Sequence, residues 1–579
     1  MINRAEELKN GVLSFPVQIA NLVNPDNDEN LNSLMQEFFD TLWTAFLMEK
    51  PVDTITWLEE FPPKKFNEMV VHLVKSGWIN SIMRNDYCYI TLNKEKLLKW
   101  VSEDFLSSMK FTTKLTKYRF TRTTSKLSDI VKLNRTRCKT GLVREGFKLC
   151  GNHIFYYDTT YIQKYRKGIA FNPQKGLEAT TKDISYQEII QCLLDWYMID
   201  TTEYSLGNCL IDSRGRAIYQ CTKKIFNPIS SKDARACIKL PVPDYLNKEG
   251  WDAVYAFIAE LHGYLGKNYR DKVHYGECMY ITRSLPSYED MEASKNYDKL
   301  HELIWLERVY ANIDSYDTTG WLVPLDIDST ASMCQMTAIL TNNHEYMDYT
   351  NLINPEEFKD YWTVDYCSRK HVKKAVTPKL YGSSAKPTEL WGRAKLEYTQ
   401  DQLNKINMDI NIGRFANANN FKDFVINNVK PKETMSVTIN GCTFTIKCNR
   451  FQWGVTTPVE YKVYANNKFI RIRQNVCRKP DLEQFKRYFQ TLLLHHLDSD
   501  VANEVALNCG CWMIPNHDSF ITSPSGTSAI RREYTKAMKK IYDNRHEILK
   551  EYFKSIGIDK EYHDVDNTEI EEFSGYALK

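Results

Sequence analysis

Two aspartates stand where a carboxylate could be held rigidly and still reach a cation. In Pro324-Leu-Asp326-Ile-Asp328-Ser-Thr-Ala-Ser332-Met-Cys-Gln335, residues 323–327 read as a strand and 333–340 as a helix, which puts Asp328 at the strand's end. In Met513-Ile-Pro-Asn-His517-Asp518-Ser519-Phe520, an apolar approach runs into a tight hairpin with Asp518 at its tip. Either aspartate alone is more often a turn or cap residue. Brought together from separate strands, they would suit two Mg²⁺ ions about 3.5–4 Å apart. Cations accompany them. Arg369 and Lys373 are four apart and share one helical face, with Tyr381-Gly382 two further turns on, near the helix's end. Two cations and a ring along one helix suit a triphosphate below and a base above. Arg214-Gly-Arg216, following Asp212, is a turn able to grip phosphate, since each guanidinium presents a fork and glycine lets the backbone approach; a plain surface turn is the alternative.

The elements needed to position these groups can be read from patterning. From about residue 185 onward, apolar helical segments alternate with short strands, an α/β (mixed α+β) pattern with no clean linker. Before that, residues 1–33 end in the polar run Asn24-Pro-Asp-Asn-Asp-Glu-Asn30 and read as a tail. Residues 34–105 read as a helix through Met69, Val70, Leu73 and Val74, a break at Gly77, a strand over 87–92 and a helix over 97–105, compatible with a winged-helix-like unit. Residues 110–139 carry ten Lys or Arg and one acid, Asp129, interleaved with Phe111, Tyr118 and Phe120. Such a stretch could neutralise phosphates and stack on bases, or form a solvated face beside acidic neighbours.

Composition narrows the class. The 579 residues carry 76 Lys+Arg against 73 Asp+Glu, which excludes a globally cationic coat protein, and 43% hydrophobic residues are enough for large cores. Fifteen Cys with no CxxC pair predict reduced, mostly buried thiols rather than a disulfide framework or zinc ribbon. No apolar run is long enough to span a bilayer, and the acidic start Met1-Ile-Asn-Arg-Ala-Glu-Glu-Leu is unlike a signal or transit peptide, so a cytoplasmic protein is expected, in the host cytoplasm if viral.

Taken in order, these blocks resemble the phage-type single-subunit RNA polymerases, the family that includes the mitochondrial enzymes. Asp328-x3-Ser332-x2-Gln335 is similar to that family's motif A, Arg369-x3-Lys373-x7-Tyr381-Gly382 to motif B, and His517-Asp518-Ser519-Phe520 to motif C. Arg214-Gly-Arg216 with Phe226-Asn-Pro228 resembles the segment before the palm that contacts template and initiating nucleotides. His262-Gly263 with Asp271-Lys272-Val273 resembles a stretch whose Lys touches the incoming triphosphate, and His495-x2-Asp498 the His that contacts the nucleotide's minor-groove side and 2′-OH. Trp453 with Thr457-Pro-Val-Glu-Tyr-Lys462 resembles the entry to the specificity loop. The resemblance covers about 185–579, and more faintly 60–105.

It implies a right-hand polymerase fold with a palm over 185–345, fingers and specificity-loop region over 346–500, palm return and C-terminal helices over 501–579, and a reduced N-terminal and thumb-like region over 34–184. It implies DNA-templated RNA synthesis from NTPs, two Mg²⁺ ions on Asp328 and Asp518, and Lys373, Arg369 and Lys272 against the triphosphate. Tyr381 and His495 would read base and sugar, and DNA template and nascent RNA would be the partners. The hairpin from Tyr461 to Gln474, turning at Asn466-Asn467, would offer Lys468, Arg471, Arg473 and Gln474 to DNA, or merely brace the fingers.

Three departures from the family pattern stand out. Met333 occupies the position after the motif A serine where Gly is usual, and would crowd the sugar edge. The region before residue 185 is short and diverged. No counterpart of the upstream-recognition arm or melting hairpin is visible, so initiation on single-stranded or pre-melted DNA, or with a separate single-stranded-DNA-binding or promoter-recognition protein, is expected. A family A DNA polymerase would carry Glu at 333 and His-Asp-Glu in motif C, whereas Ser519 follows Asp518 here. A primase-like polymerase and a non-catalytic nucleic-acid-binding factor are the remaining alternatives.

Overall fold

The computed structural model describes residues 38, 42, 52–53, 63–84, 87–93, 95, 144–158, 160–165, 203–207, 209–212, 214–219, 232–264, 266, 268–294, 299–354, 357–448, 454–465, 468–575 and 577–578. The tail, the helix expected over 97–105, the basic stretch 110–139, Phe226-Asn-Pro228, Trp453 and the Asn466-Asn467 turn lie outside them. The chain divides into two compact units: residues 1–137 with 448–481, and residues 138–447 with 482–579.

In the first unit, β1 (Val52–Asp53), α1 (Pro63–Lys75), β2 (Ile79–Arg84) and β3 (Tyr87–Leu92) form a helix followed by an antiparallel sheet of order β1-β3-β2. Phe66, Met69, Val70 and Leu73 are buried, the face that the helical spacing predicts, and Gly77 ends the helix with φ 74°.

In the second unit, β4 (Cys209–Ile211) and β5 (Ala217–Tyr219) are joined by the Arg214-Gly215-Arg216 turn. Helices α2 (Lys248–Leu261) and α3 (Tyr269–Ile281) follow, each capped by an asparagine: Asn247 accepts from the Gly250 amide and Asn268 from the Asp271 amide, both at 2.9 Å. The two helices touch closely at Gly276, where an added Cβ would lie 1.8 Å from the Tyr255 carbonyl oxygen. Then come α4 (Leu300–Thr319), β6 (Leu325–Asp328), the wholly buried α5 (Ser332–Leu340) and α6 (Arg369–Leu380). A hairpin of β7 (Thr434–Ile439) and β8 (Cys442–Lys447) turns on Asn440-Gly441, both with positive φ (49° and 74°), as a two-residue Asn-Gly turn requires. The chain then returns to the first unit for a long antiparallel hairpin, β9 (Gly454–Ala465) and β10 (Lys468–Pro480).

Back in the second unit, α7 (Tyr488–Asn508) precedes β11 (Met513–Asn516), β12 (Ser519–Thr522), α8 (Thr527–Asp543) and α9 (Arg545–Ser555). Strands β11, β12 and β6 make one three-stranded sheet in that order, with Ser519 opposite Asp328 and Phe520 opposite Ile327. Leu325, Ile327, Met513, Ile514, Phe520 and Ile521 are buried along it. Every strand pairing among the described residues is antiparallel, so of the two patterns expected the molecule is mixed helix and sheet of α+β type. Among the described residues no helix is long and apolar enough to cross a membrane.

The α2–α3 contact carries the first prediction. Gly276→Ala should destabilise the second unit by about 1–3 kcal/mol, because its methyl group has no room against a backbone carbonyl. Chemical denaturation followed by tryptophan fluorescence checks it; an unchanged midpoint would contradict the close packing.

Candidate active site

Strand alternation decides which way the carboxylates face. Leu325 and Ile327 enter the core, so Asp326 and Asp328 share the opposite face of β6. Asp326 is taken up by Arg235, 3.0 Å away. Asp328 is solvent-exposed at the strand's end. Across the sheet, His517 and Asp518 form a two-residue turn between β11 and β12, His517 adopting φ 61°. Ser329 fastens that turn to the end of β6: its amide donates to the Asp518 carbonyl and its hydroxyl to Asp518 Oδ2, both at 3.1 Å. The two expected metal-binding aspartates are therefore neighbours.

Their proximity has an electrostatic cost. Enclosure by protein pushes the Asp328 carboxyl well above the usual carboxylate range; Asp518, Asp326 and Glu260 push it the same way, and Lys373 opposes them. A divalent cation between Asp328 and Asp518 would relieve this crowding, and carboxylate oxygens are the donors Mg²⁺ takes. Elsewhere among the described residues, His546, Asp564 and Glu569 bring ligand atoms together, but the Arg545 guanidinium already bonds both acids at 2.6 Å and fills the place a cation would take.

The cationic helix forms as the spacing predicts. Ser368 caps α6 by accepting from the His371 amide, Tyr381 is its C-cap, and Gly382 leaves with φ 80°. An added Cβ at 382 would meet the Arg487 carbonyl oxygen at 2.8 Å, so glycine is sterically required there. Lys373 is exposed, with its ammonium 5.5 Å from the Trp362 ring centre. Arg369 is half exposed and tied to Asp360, Nε to Oδ2 at 2.9 Å, so its fork is partly engaged. Lys272, on α3, is buried and paired with Glu260 of α2 at 3.0 Å.

A third group of side chains comes from α7, a helix buried on nearly every side. His495 is fully buried, and neither ring nitrogen has a hydrogen-bond partner among the described residues. Burial first, then Arg216, Arg214 and His517, hold its basicity far below the ordinary imidazole value, so it is neutral at physiological pH. The Tyr381 ring lies 5.3 Å from it, tilted 46°. Burial pushes the Tyr381 phenol up, with Arg216 beside it pulling the other way. The Arg214-Gly215-Arg216 turn is knotted by Asp212, whose Oδ1 accepts from the amides of Arg214 (2.8 Å) and Arg216 (2.9 Å), and by Ser499, whose hydroxyl donates to the Gly215 carbonyl. At Gly215, φ is 79° and a Cβ would sit 2.8 Å from His496 Nδ1, so only glycine fits.

Asp498 was not singled out as a site residue from the sequence. It is buried, pushed up to about 7 by desolvation and then by Asp518, against Arg216 and the Ser332 hydroxyl. Its signal was its place three residues after His495, one turn along the same face. Glu260 and Asp360, the partners of Lys272 and Arg369, carried no sequence signal. Met333, expected to crowd the sugar edge, is buried in the first turn of α5.

The four residues proposed to reach DNA from the long hairpin lie in the first unit, and its register separates them. Arg471 and Arg473 share a face with Lys462 and Glu460, their cross-strand partners, while Lys468 and Gln474 belong to the other face with Ile470 and Ile472.

No protein-family model and no curated protein matches this sequence.

Asp328 carries the second prediction. Its folded-state value lies above the unfolded one, so this group costs nothing while both states are protonated, and the penalty is complete once pH exceeds the folded value. In chelator at neutral pH, Asp328→Asn should therefore melt higher than the native chain, and should gain less from added Mg²⁺. Thermal melts with and without Mg²⁺ check this; a lower melting temperature in chelator would show that the two carboxylates do not repel.

Proposed function

We propose that this chain is a nucleotidyltransferase that synthesises RNA on a DNA template, a right-hand polymerase of the phage-type single-subunit kind. The observation that carries the reading is the juxtaposition of Asp328 and Asp518 across β6 and β12 within electrostatic reach of Lys373, with the Tyr381–His495 ring pair and Arg216 nearby. The ordered resemblance of the sequence blocks supports it, and the second unit would then hold palm and fingers.

Asp328 and Asp518 would hold two Mg²⁺ ions, which when bound make the primer 3′-hydroxyl easier to deprotonate and neutralise charge on the departing pyrophosphate. Lys373, exposed on α6, meets the triphosphate of the incoming nucleotide. Arg369 stands one turn earlier on the same face, its guanidinium oriented by Asp360. Lys272 reaches the phosphates by exchanging or sharing its bond with Glu260. Tyr381 closes over the new base pair at the end of α6. His495, neutral and with both nitrogens unpartnered among the described residues, offers one donor and one acceptor to the sugar edge, which suits a 2′-hydroxyl. Arg214 and Arg216, fixed by the Asp212 knot, grip template or primer phosphates. The β9–β10 hairpin is the DNA-contacting element in this reading, and a single-stranded or pre-melted template, or a separate promoter-recognition protein, supplies what duplex opening requires.

Asp328→Ala and Asp518→Ala should abolish Mg²⁺-dependent extension of a primed template while template affinity stays within about twofold, since that affinity comes from phosphate contacts elsewhere. Gel-shift and labelled-nucleotide extension assays check both halves, and extension by either variant would remove that residue from the metal site.

Ribose choice tests the nucleotide pocket. NTPs should be used in preference to dNTPs, and Tyr381→Phe should relax the preference about tenfold, the size of one lost hydrogen bond. Competition between matched NTP and dNTP pairs reads this ratio. Equal use of both by the unaltered chain would favour the DNA polymerase reading.

A further inference from the structure

Helix α8 has two working faces. On one, Tyr534 is buried and donates to Gln335 Oε1, with the carboxylates of Asp328, Asp498 and Asp518 close enough to act on its phenol. On another, Arg531, Arg532 and Lys536 line a recess of about 470 Å³, closed on the far side by Tyr269 of α3 and the start of α2. This recess shares no lining residue with the aspartate site.

Arg531 is its unusual feature. Its guanidinium lies over the Tyr269 ring, 5.0 Å from the ring centre, and it makes no ion pair or side-chain hydrogen bond among the described residues. Nε is sealed from solvent without a partner. A guanidinium seated over a ring still has terminal N–H groups to offer, the groups that recognise a planar or tetrahedral oxyanion by two parallel bonds. The neighbouring cations are partly engaged, Arg532 and Lys536 both bonding Glu533 at 3.2 and 2.9 Å, and they add field rather than a second fork. On the opposite wall the Ser528 hydroxyl donates to Glu249 at 2.8 Å, while Asp252 also faces the recess. The recess thus sets one unpaired guanidinium against two carboxylates, Glu249 and Asp252. It admits a compact anion at Arg531 and disfavours negative charge near the Glu249 and Asp252 wall.

The geometry points to a binding site for a small phosphate-class oxyanion, free phosphate or pyrophosphate, at Arg531 and Tyr269. The site does not rest on the polymerase reading, because none of its residues serves there. Bound anion would contact the first turn of α3, the helix that carries Lys272, so occupancy is positioned to influence that lysine.

Calorimetric titration of the full chain with pyrophosphate, and separately with inorganic phosphate, in EDTA tests this without loading the aspartates. Saturable binding of at least one of the two is expected. Arg531→Ala should weaken it at least about tenfold, the loss of a charge-assisted bond. Tyr269→Phe should retain it, because only the ring is needed, whereas Tyr269→Ala should weaken it. Asp252→Asn should tighten it, and Lys373→Ala should leave it unchanged. Circular dichroism melts confirm that each variant is folded. No saturable binding by the unaltered chain, equal binding by a folded Arg531→Ala variant, or loss in Lys373→Ala instead would overturn the site. So would binding of a single-stranded oligonucleotide with neither small anion bound.

Discussion

The pairing of β12 against β6 is the contact on which the chemistry of the second unit depends. It is short, four residues on each strand, and its register is enforced from the core side, where Leu325 and Ile327 face inward along one strand while Phe520 and Ile521 are buried on the other. A slip of one residue would turn Asp328 into the core and Ile327 out to solvent, so apolar burial and carboxylate placement are locked together. Ser329 adds two bonds to the Asp518 turn, and the result is a pair of like charges held side by side against their own repulsion. Stability is given up locally, as is common where a site is arranged to receive a cation.

Around that pair the molecule buries polar groups that a purely structural core would avoid. Helix α7 runs through the interior with His495, His496, Asp498 and Ser499 all buried on it. Each is used differently. Ser499 ties down the Gly215 turn, and His496 lies flat against Phe444 of the β7–β8 hairpin at 5.2 Å while flanking Gly215. Asp498 answers Arg216. His495 and His496 both keep two ring nitrogens without hydrogen-bond partners among the described residues, which costs folding energy, and of the two it is His495 that lies beside the Tyr381 ring. The Asn440-Gly441 turn of that hairpin in turn bonds Asp500 of the same helix and Glu551 of α9.

Much of this arrangement was legible in the chain, for identifiable reasons. The strand expected over 323–327 and found over 325–328, the helix expected over 333–340 and found over 332–340, and the tip at His517-Asp518 follow from alternation broken by polar residues, a strong local signal. The α6 helix with Tyr381 at its end followed from spacing. What could not be read was partnership across distance. Arg369 and Lys373 were correctly placed on one face, but spacing says nothing of Asp360, which claims Arg369, or of Glu260, which claims Lys272 from a different helix. The deep burial of α7 was hidden as well, because its polar residues are spread around the helix and form no single stripe that separates an outer face from an inner one. The three hairpin cations and one amide read as one group in sequence, while the strand's alternation divides them between two faces.

The central claim is that the paired aspartates serve templated synthesis, and single-nucleotide addition tests it most directly. A labelled RNA primer annealed to single-stranded DNA is offered each of the four NTPs separately, with Mg²⁺ and the unaltered chain. The account predicts extension by one residue with the nucleotide complementary to the template, none with the other three, and none in chelator. Extension that ignores the template base, or no extension with any nucleotide on a template the chain demonstrably binds, would contradict it.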